Sequence, residues 1–324
     1  MRRMFGICFV VALAVGLCAA SVQSAAAAYP DRAIDIIIPY GVGGGSDAVA
    51  RAVAEGMRQV EKYPMVIQNM PGGGAIKGML HAAMQPADGY TVLAITTTHL
   101  IDAVAPRSRV SLLTDFDPLL RIQWDVSAII ISGKSEFKTL DDLIAYGKKN
   151  PKALKFGGVS PQGWSEINTM GFFNLFGVEA TFIPFDGASE VKAAIIGGHI
   201  TGAFDELAET VPNIEAGQLK ALAVIANSRH PALPSVPCTK ELGIDYDRGI
   251  MRAWAIKKGT PPDRQKFLHD WIKRAIETPM YKKFADQNYL NVRPGYLGPE
   301  DFRKVWDEEV KFYTGVLKGL GHLK

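Results

Sequence analysis

The sequence predicts an α/β protein with largely parallel sheets. Short apolar, β-branched runs alternate with amphipathic stretches of helical period along the whole chain, the pattern of strands and the helices that cover them. The chain has 324 residues, enough for roughly two domains of about 150 residues each. No Gly/Ser-rich linker separates two such domains. The chain is therefore expected to cross between them more than once, near residues 124–127 and again near 247–252.

The first 28 residues are read as a secretory signal peptide. Arg2 and Arg3 give a basic start, residues 5–20 are apolar but short for a bilayer, and Ala25 to Ala28 offer small residues for cleavage near Ala28. Removal leaves 296 of the 324 residues. The net charge of +3 loses Arg2 and Arg3 and falls to about +1. Such a chain has no electrostatic footprint for nucleic acid or an anionic membrane. Cys8 and Cys18 leave with the leader, so Cys238 stands alone and no internal disulfide is expected. These features point to the periplasm.

Strands are expected at residues 34–38, 65–68, 91–96, 128–131, 180–183, 219–225 and 253–257. A helix over 47–61 puts Val49, Val53, Met57 and Val60 on one face and sets Asp47 four residues before Arg51. Thr139 is the expected N-cap of a helix over 141–149 that stops before Pro151. Two further helices are expected over 263–277 and 299–318.

Between the first strand and the first helix stands Gly41-Val42-Gly43-Gly44-Gly45-Ser46. A plain tight turn needs one or two glycines; four of them before a helix read as an anion cradle, because backbone N–H groups at a helix N-terminus point at whatever sits there. The anion is not a dinucleotide: the sixth position is Ser46, and the next strand ends at Gln68-Asn69, where a ribose-binding acid belongs. Neither this loop nor residues 72–78 form a Walker A motif. The six histidines lack metal-ligand spacing, and Ser46 fails the G-x-S-x-G pattern because Ala48 stands at its last position. Cys238, in a proline-rich loop, reads as a buried small residue. No cofactor, metal or enzymatic activity is expected. A side chain at Gly44 is expected to crowd the approach of a ligand.

Eight segments in order carry a resemblance to a known family: YPDRAIDIIIPYGVGGGSDAVAR, VIQNMPGGGAIKG, ADGYTVL, FIPFDGASE, GGHITGAFDEL, IEAGQLKALAV, PALPSVP and GTPPDRQKFLHDWIKRAI. Together they resemble the extracytoplasmic solute receptors of tripartite tricarboxylate transporters, the Bug family. The resemblance implies a two-lobed periplasmic binding protein fold of type II, with the ligand in an interdomain cleft. Domain 1 would comprise residues 29–126 and 248–324, and domain 2 residues 127–247. It further implies a monomeric receptor that closes by a hinge on a small organic carboxylate and serves a membrane permease. A subunit presenting ligand to a membrane sensor, and an α/β hydrolase, are the alternatives.

The facing loops carried over by position hold Tyr40, Gly43, Gly44, Gly45 and Ser46; Thr97, Thr98 and His99; Ser160, Gly163, Trp164 and Ser165; Phe185, Gly187 and Ala188; and Asp205. The chain departs from the family where a Gly-Thr pair followed by His is usual; Gly163, Trp164 and Ile167 stand there. Asp186 replaces a frequent Lys, and Glu166, Glu190 and Glu206 add acids nearby. Trp164 is therefore expected to offer a flat platform and favour an aromatic carboxylate, with packing against Phe172 or Phe173 as the alternative.

Overall fold

A computed structural model describes residues 29–185 and 187–323; the expected signal peptide and Asp186 lie outside the described residues. The N-terminal half alternates strand and helix: β1 (Ile34–Ile38), α1 (Gly45–Val60), β2 (Met65–Asn69), α2 (Ile76–Met84), β3 (Thr91–Thr96), α3 (Thr97–Val104), α4 (Leu112–Asp115) and β4 (Phe116–Trp124). A second run follows: β5 (Ser127–Ser132), α5 (Leu140–Lys149), β6 (Lys155–Val159), α6 (Trp164–Asn174), β7 (Thr181–Phe185), α7 (Ala188–Ile196), β8 (Gly202–Glu206), α8 (Leu207–Glu215) and β9 (Leu219–Ile225). The chain then returns through β10 (Met251–Lys257), α9 (Pro262–Ile276), α10 (Pro279–Gln287) and α11 (Pro299–Gly319).

Among the described residues, ten strands make two five-stranded sheets, in the orders β2-β1-β3-β10-β4 and β7-β6-β8-β5-β9. Within the first, β1 runs parallel to β2 and β3, while β10 is antiparallel to β3 and β4. The second repeats this plan, with β6 parallel to β7 and β8, and β5 antiparallel to β8 and β9. The largely parallel expectation thus needs one correction per sheet. The reversed strands are the two that follow a passage from one sheet to the other: β5 opens the second sheet and is later flanked by β8 and β9, and β10 slots between β3 and β4. Residues 125–126 make the first passage and residues 226–250 the second. The chain from Ala33 onward forms one unit that holds both sheets.

Strands β1 and β5 are almost wholly apolar and buried, as expected for the centre of an α/β layer. Helix α1 lays Val49, Val53 and Met57 on its sheet, and Trp271 of α9 donates its indole N–H to the Met57 carbonyl at 3.0 Å. The two helices approach so closely that a Cβ on Gly56 would stand 2.5 Å from the Ala275 carbonyl oxygen. Thr139 caps α5 as expected, accepting from Asp142 N at 3.1 Å. Strands β4, β6 and β8 were not anticipated: Pro118 and Arg121 interrupt the first, Gly157 and Gly158 dilute the second, and Asp205 and Glu206 end the third.

Replacing Gly56 with Val forces α1 away from α9. Overpacking of this kind costs about 1–3 kcal/mol, so the urea midpoint of Gly56→Val falls with the slope unchanged. A midpoint equal to that of the wild type would contradict this contact.

Candidate functional site

The glycine turn is ordered by a carboxylate of its own helix. Gly43 takes a left-handed φ of +85° and donates its N–H to Asp47 Oδ2 at 2.9 Å. Asp47 is buried and also accepts from Arg51 Nε at 2.9 Å and from Asn69 Nδ2 at 2.9 Å. Burial pushes the Asp47 carboxyl up, but the bonds from Arg51, Gly43 and Asn69 outweigh it and hold the group below its ordinary value. The expected Asp47–Arg51 pair is therefore part of the scaffold of the turn. Gly44 is the N-cap of α1, and Ala48 N–H is bonded to its carbonyl at 3.0 Å. The N–H groups of Gly45, Ser46 and Asp47 precede that first bond and have no partner inside the helix.

The protein's own packing sets Gly44 and Gly45 apart. Gly44 has an ordinary φ of −80°, and a Cβ there would meet only the Gly41 carbonyl oxygen, at 3.9 Å. The constraint falls on Gly45 instead, where a Cβ would collide with Arg252 Nη2 and Glu209 Oε1.

Two further predicted loops meet directly. Thr96 caps α3, accepting from Thr98 N at 3.3 Å, and its hydroxyl bonds the Tyr40 hydroxyl at 2.6 Å. Thr96 N–H donates to His99 Nδ1 at 3.1 Å, which leaves the proton on Nε2, a buried atom without a partner among the described residues. Burial drives the His99 pKa down to about 4. Across the seam, Thr98 Oγ1 accepts the Trp164 backbone N–H at 3.2 Å. Thr97 Oγ1 accepts Met251 N–H at 3.0 Å. Ser160 and Gln162 hold left-handed φ values of +67° and +56°, uncommon for residues with side chains. Arg107, anchored to Asp102 at 2.7 Å, donates to the Pro161 carbonyl at 3.1 Å and ties this loop to the first sheet's side.

Trp164 requires a correction. The side chain is 2% exposed, its indole N–H is given to the Gly249 carbonyl at 3.2 Å, and its ring meets Phe204 edge-on. It offers a ligand neither an open face nor a free donor, so the expected aromatic platform is a core residue; its ring partner is Phe204 rather than Phe172 or Phe173. Ser165 packs over Gly158, where a Cβ would collide with it. Phe185 packs against Gly157. Gly187 caps α7, of which Ala188 is the first residue. Asp205 accepts from Thr210 Oγ1 at 2.9 Å, and burial raises its carboxyl against the pull of Lys192.

The residues that sequence reasoning missed lie between these loops. Arg252 of β10 has a side chain only 7% exposed and faces three carboxylates: Glu209 at 3.1 Å, Asp125 at 3.4 Å and Glu206 at 3.9 Å. Burial opposes its charge, and the three acids outweigh that opposition. One cation does not neutralise three anions. Burial accordingly raises Asp125 to about 6 despite Arg252, and burial together with Glu209 raises Glu206 well above the ordinary carboxylate range. Burial likewise raises the Tyr40 phenol. Lys192 of α7 donates to the Glu209 carbonyl at 2.9 Å and stands 3.9 Å from its carboxylate. The available signal was a lone arginine inside the apolar run MRAWAI, since a charge in a buried strand needs partners.

Two α/β halves of the same strand plan, joined by two passages and meeting at a glycine turn, two threonine-rich contacts and a buried charge cluster, define a solute-binding receptor. The chain belongs to the family described as "Tripartite tricarboxylate transporter family receptor", whose profile matches residues 49–321. The receptors of this family are periplasmic solute-binding proteins. The chain is similar to a Cupriavidus necator protein described as "UPF0065 protein in gbd 5'region", with 29% identity over 322 residues, 96% of this chain and 94% of that one. It is 27% identical over 301 residues to "Protein BugT" of Bordetella pertussis, covering 90% of each chain. Among solved structures it is similar to one titled "Structure of a periplasmic transporter", at 28% identity and a TM-score of 0.81 over 90% of this chain and 98% of that one.

His99 supplies a pH test of the site's packing. Between pH 6.5 and about 4 the unfolded chain binds a proton that the folded state refuses, so stability falls as the pH drops through that window. From pH 7 to pH 5 this residue removes about 2 kcal/mol. In urea unfolding at both pH values, the wild type should lose about 2 kcal/mol more on acidification than His99→Gln does. Equal pH dependence in the two proteins would mean that His99 is not held neutral by burial.

Proposed function

We propose that this chain captures a small organic carboxylate in the seam between its two sheets and presents it to the membrane components of a tripartite tricarboxylate transporter. The supporting observation is the meeting of Gly45 with the buried Arg252 at the start of α1. Unpaired N–H groups of a first helical turn and a fixed guanidinium converge there, and both favour a carboxylate. A fold neighbour from R. palustris is titled with adipate and another from Rhodopseudomonas palustris with malate; at 24% and 22% identity they share the fold alone, and they suggest probes rather than the ligand.

The halves that close on the ligand are residues 29–126 with 248–324, and residues 127–247. The sheet membership of the ten strands supports this division. The hinge runs through Asp125 and Gly249, where a Cβ on Gly249 would collide with the Asp125 carbonyl. The receptor acts as a single chain, exported with cleavage near Ala28. With Trp164 in the core, nothing in the site requires an aromatic body in the ligand.

Thermal unfolding across a panel of mono-, di- and tricarboxylates tests the reading. A ligand at 100 times its Kd adds about 2.7 kcal/mol of stability. Gly45→Val should erase that gain while keeping a native circular dichroism spectrum, and Gly44→Ala should keep it. Full binding by Gly45→Val would remove the turn from the site, and no response to any carboxylate would remove the ligand class.

A further inference from the structure

Glu209 stands where the proposed ligand's carboxylate belongs. It is borne by α8, which follows the second sheet's β8, yet its Oε1 lies against Gly45 at the start of α1 and accepts from Arg252 Nη2 at 3.1 Å. Its other oxygen faces Lys192 Nζ at 3.9 Å, and that ammonium is already fixed by the Glu209 carbonyl at 2.9 Å. The carboxylate thus has two cations within reach, one on each side. Arg252 still has an unused donor: its Nε is buried and has no hydrogen-bond partner among the described residues. The guanidinium therefore has capacity for an acceptor that its own acids do not satisfy.

We infer that Arg252 is the cation that recognises the ligand's carboxylate and that Glu209 is an internal competitor for the same place. An entering carboxylate takes the Gly45 turn and Arg252, and Glu209 passes to Lys192 on its own side of the seam. Until then the Glu209–Arg252 bridge ties α8 to β10 and so holds the halves together. Three acids already face this one arginine, so the exchange replaces one anion by another without adding net charge around Arg252. The site therefore admits a single carboxylate at this end, and a second acid group on the ligand must lie elsewhere. This inference rests on the carboxylate reading given above, and its test separates the two.

Glu209 is partly exposed, with 23% of its side chain accessible, so Glu209→Gln should fold. Small-angle scattering of the purified protein without added ligand should show a larger radius of gyration for Glu209→Gln than for the wild type. Calorimetry with adipate and with malate should show at least fivefold tighter binding by Glu209→Gln of whichever acid the wild type binds. Arg252→Lys keeps the charge that the acids need and should weaken binding at least tenfold. If the wild type binds either acid and Glu209→Gln binds it no more tightly, the inference fails and the carboxylate reading stands. If neither acid binds any of the proteins but Glu209→Gln expands, the bridge stands and the carboxylate role of Arg252 falls. Unchanged scattering together with no binding would overturn the inference altogether.

Discussion

A guanidinium buried among three carboxylates carries the junction between the two sheets. Arg252 sits on the strand by which the chain returns to the first sheet, Asp125 on the first passage between sheets, and Glu206 and Glu209 at the start of α8. Removing Arg252 from such a buried set would leave its acids uncompensated, at a cost of about 3–5 kcal/mol. The cluster therefore fixes which way the two passages lie against each other. Negative charge remains in excess around Arg252, and burial raises the Asp125 and Glu206 carboxyls.

The loops around this cluster are ordered by their own backbone needs. Asp47 closes the glycine turn, His99 and Thr96 close the start of α3, and Gly163 N–H bonds the Ser160 carbonyl at 3.0 Å in the strained loop before α6. Non-glycine residues in left-handed conformations, such as Ser160 and Gln162, persist where the surroundings over-determine them. Thr98 and Arg107 supply that restraint from the opposite side. The polar side chains of these loops mostly hold the loops, which leaves the proposed recognition of a ligand to backbone N–H groups and the buried Arg252.

Much of this architecture was legible in the sequence. The alternation of strands and helices and the capped helix after Thr139 follow from apolar period and from cap chemistry. The glycine turn before α1 was legible, but the close approach at Gly45 was not, because it comes from Arg252 of β10 and Glu209 of α8. Trp164 misled for a related reason. A tryptophan at a helix start facing a loop reads as a platform, and only tertiary packing shows that Gly249 takes its N–H and Phe204 its ring. Arg252, Asp125 and Glu209 are far apart in sequence, and no local pattern joins them. The helix that His99 helps to cap starts without a break after β3, so nothing in the Thr run announced it.

In the proposed site, a carboxylate is held by the first turn of α1 and by Arg252. The most direct measurement is a crystal structure of the protein grown with the carboxylate that stabilises it most. This arrangement predicts one carboxylate oxygen about 3 Å from the backbone nitrogen of Gly45 or Ser46 and another within hydrogen-bond distance of the Arg252 guanidinium. A ligand bound in the seam with Arg252 still on Glu209 and no contact to the glycine turn would contradict it.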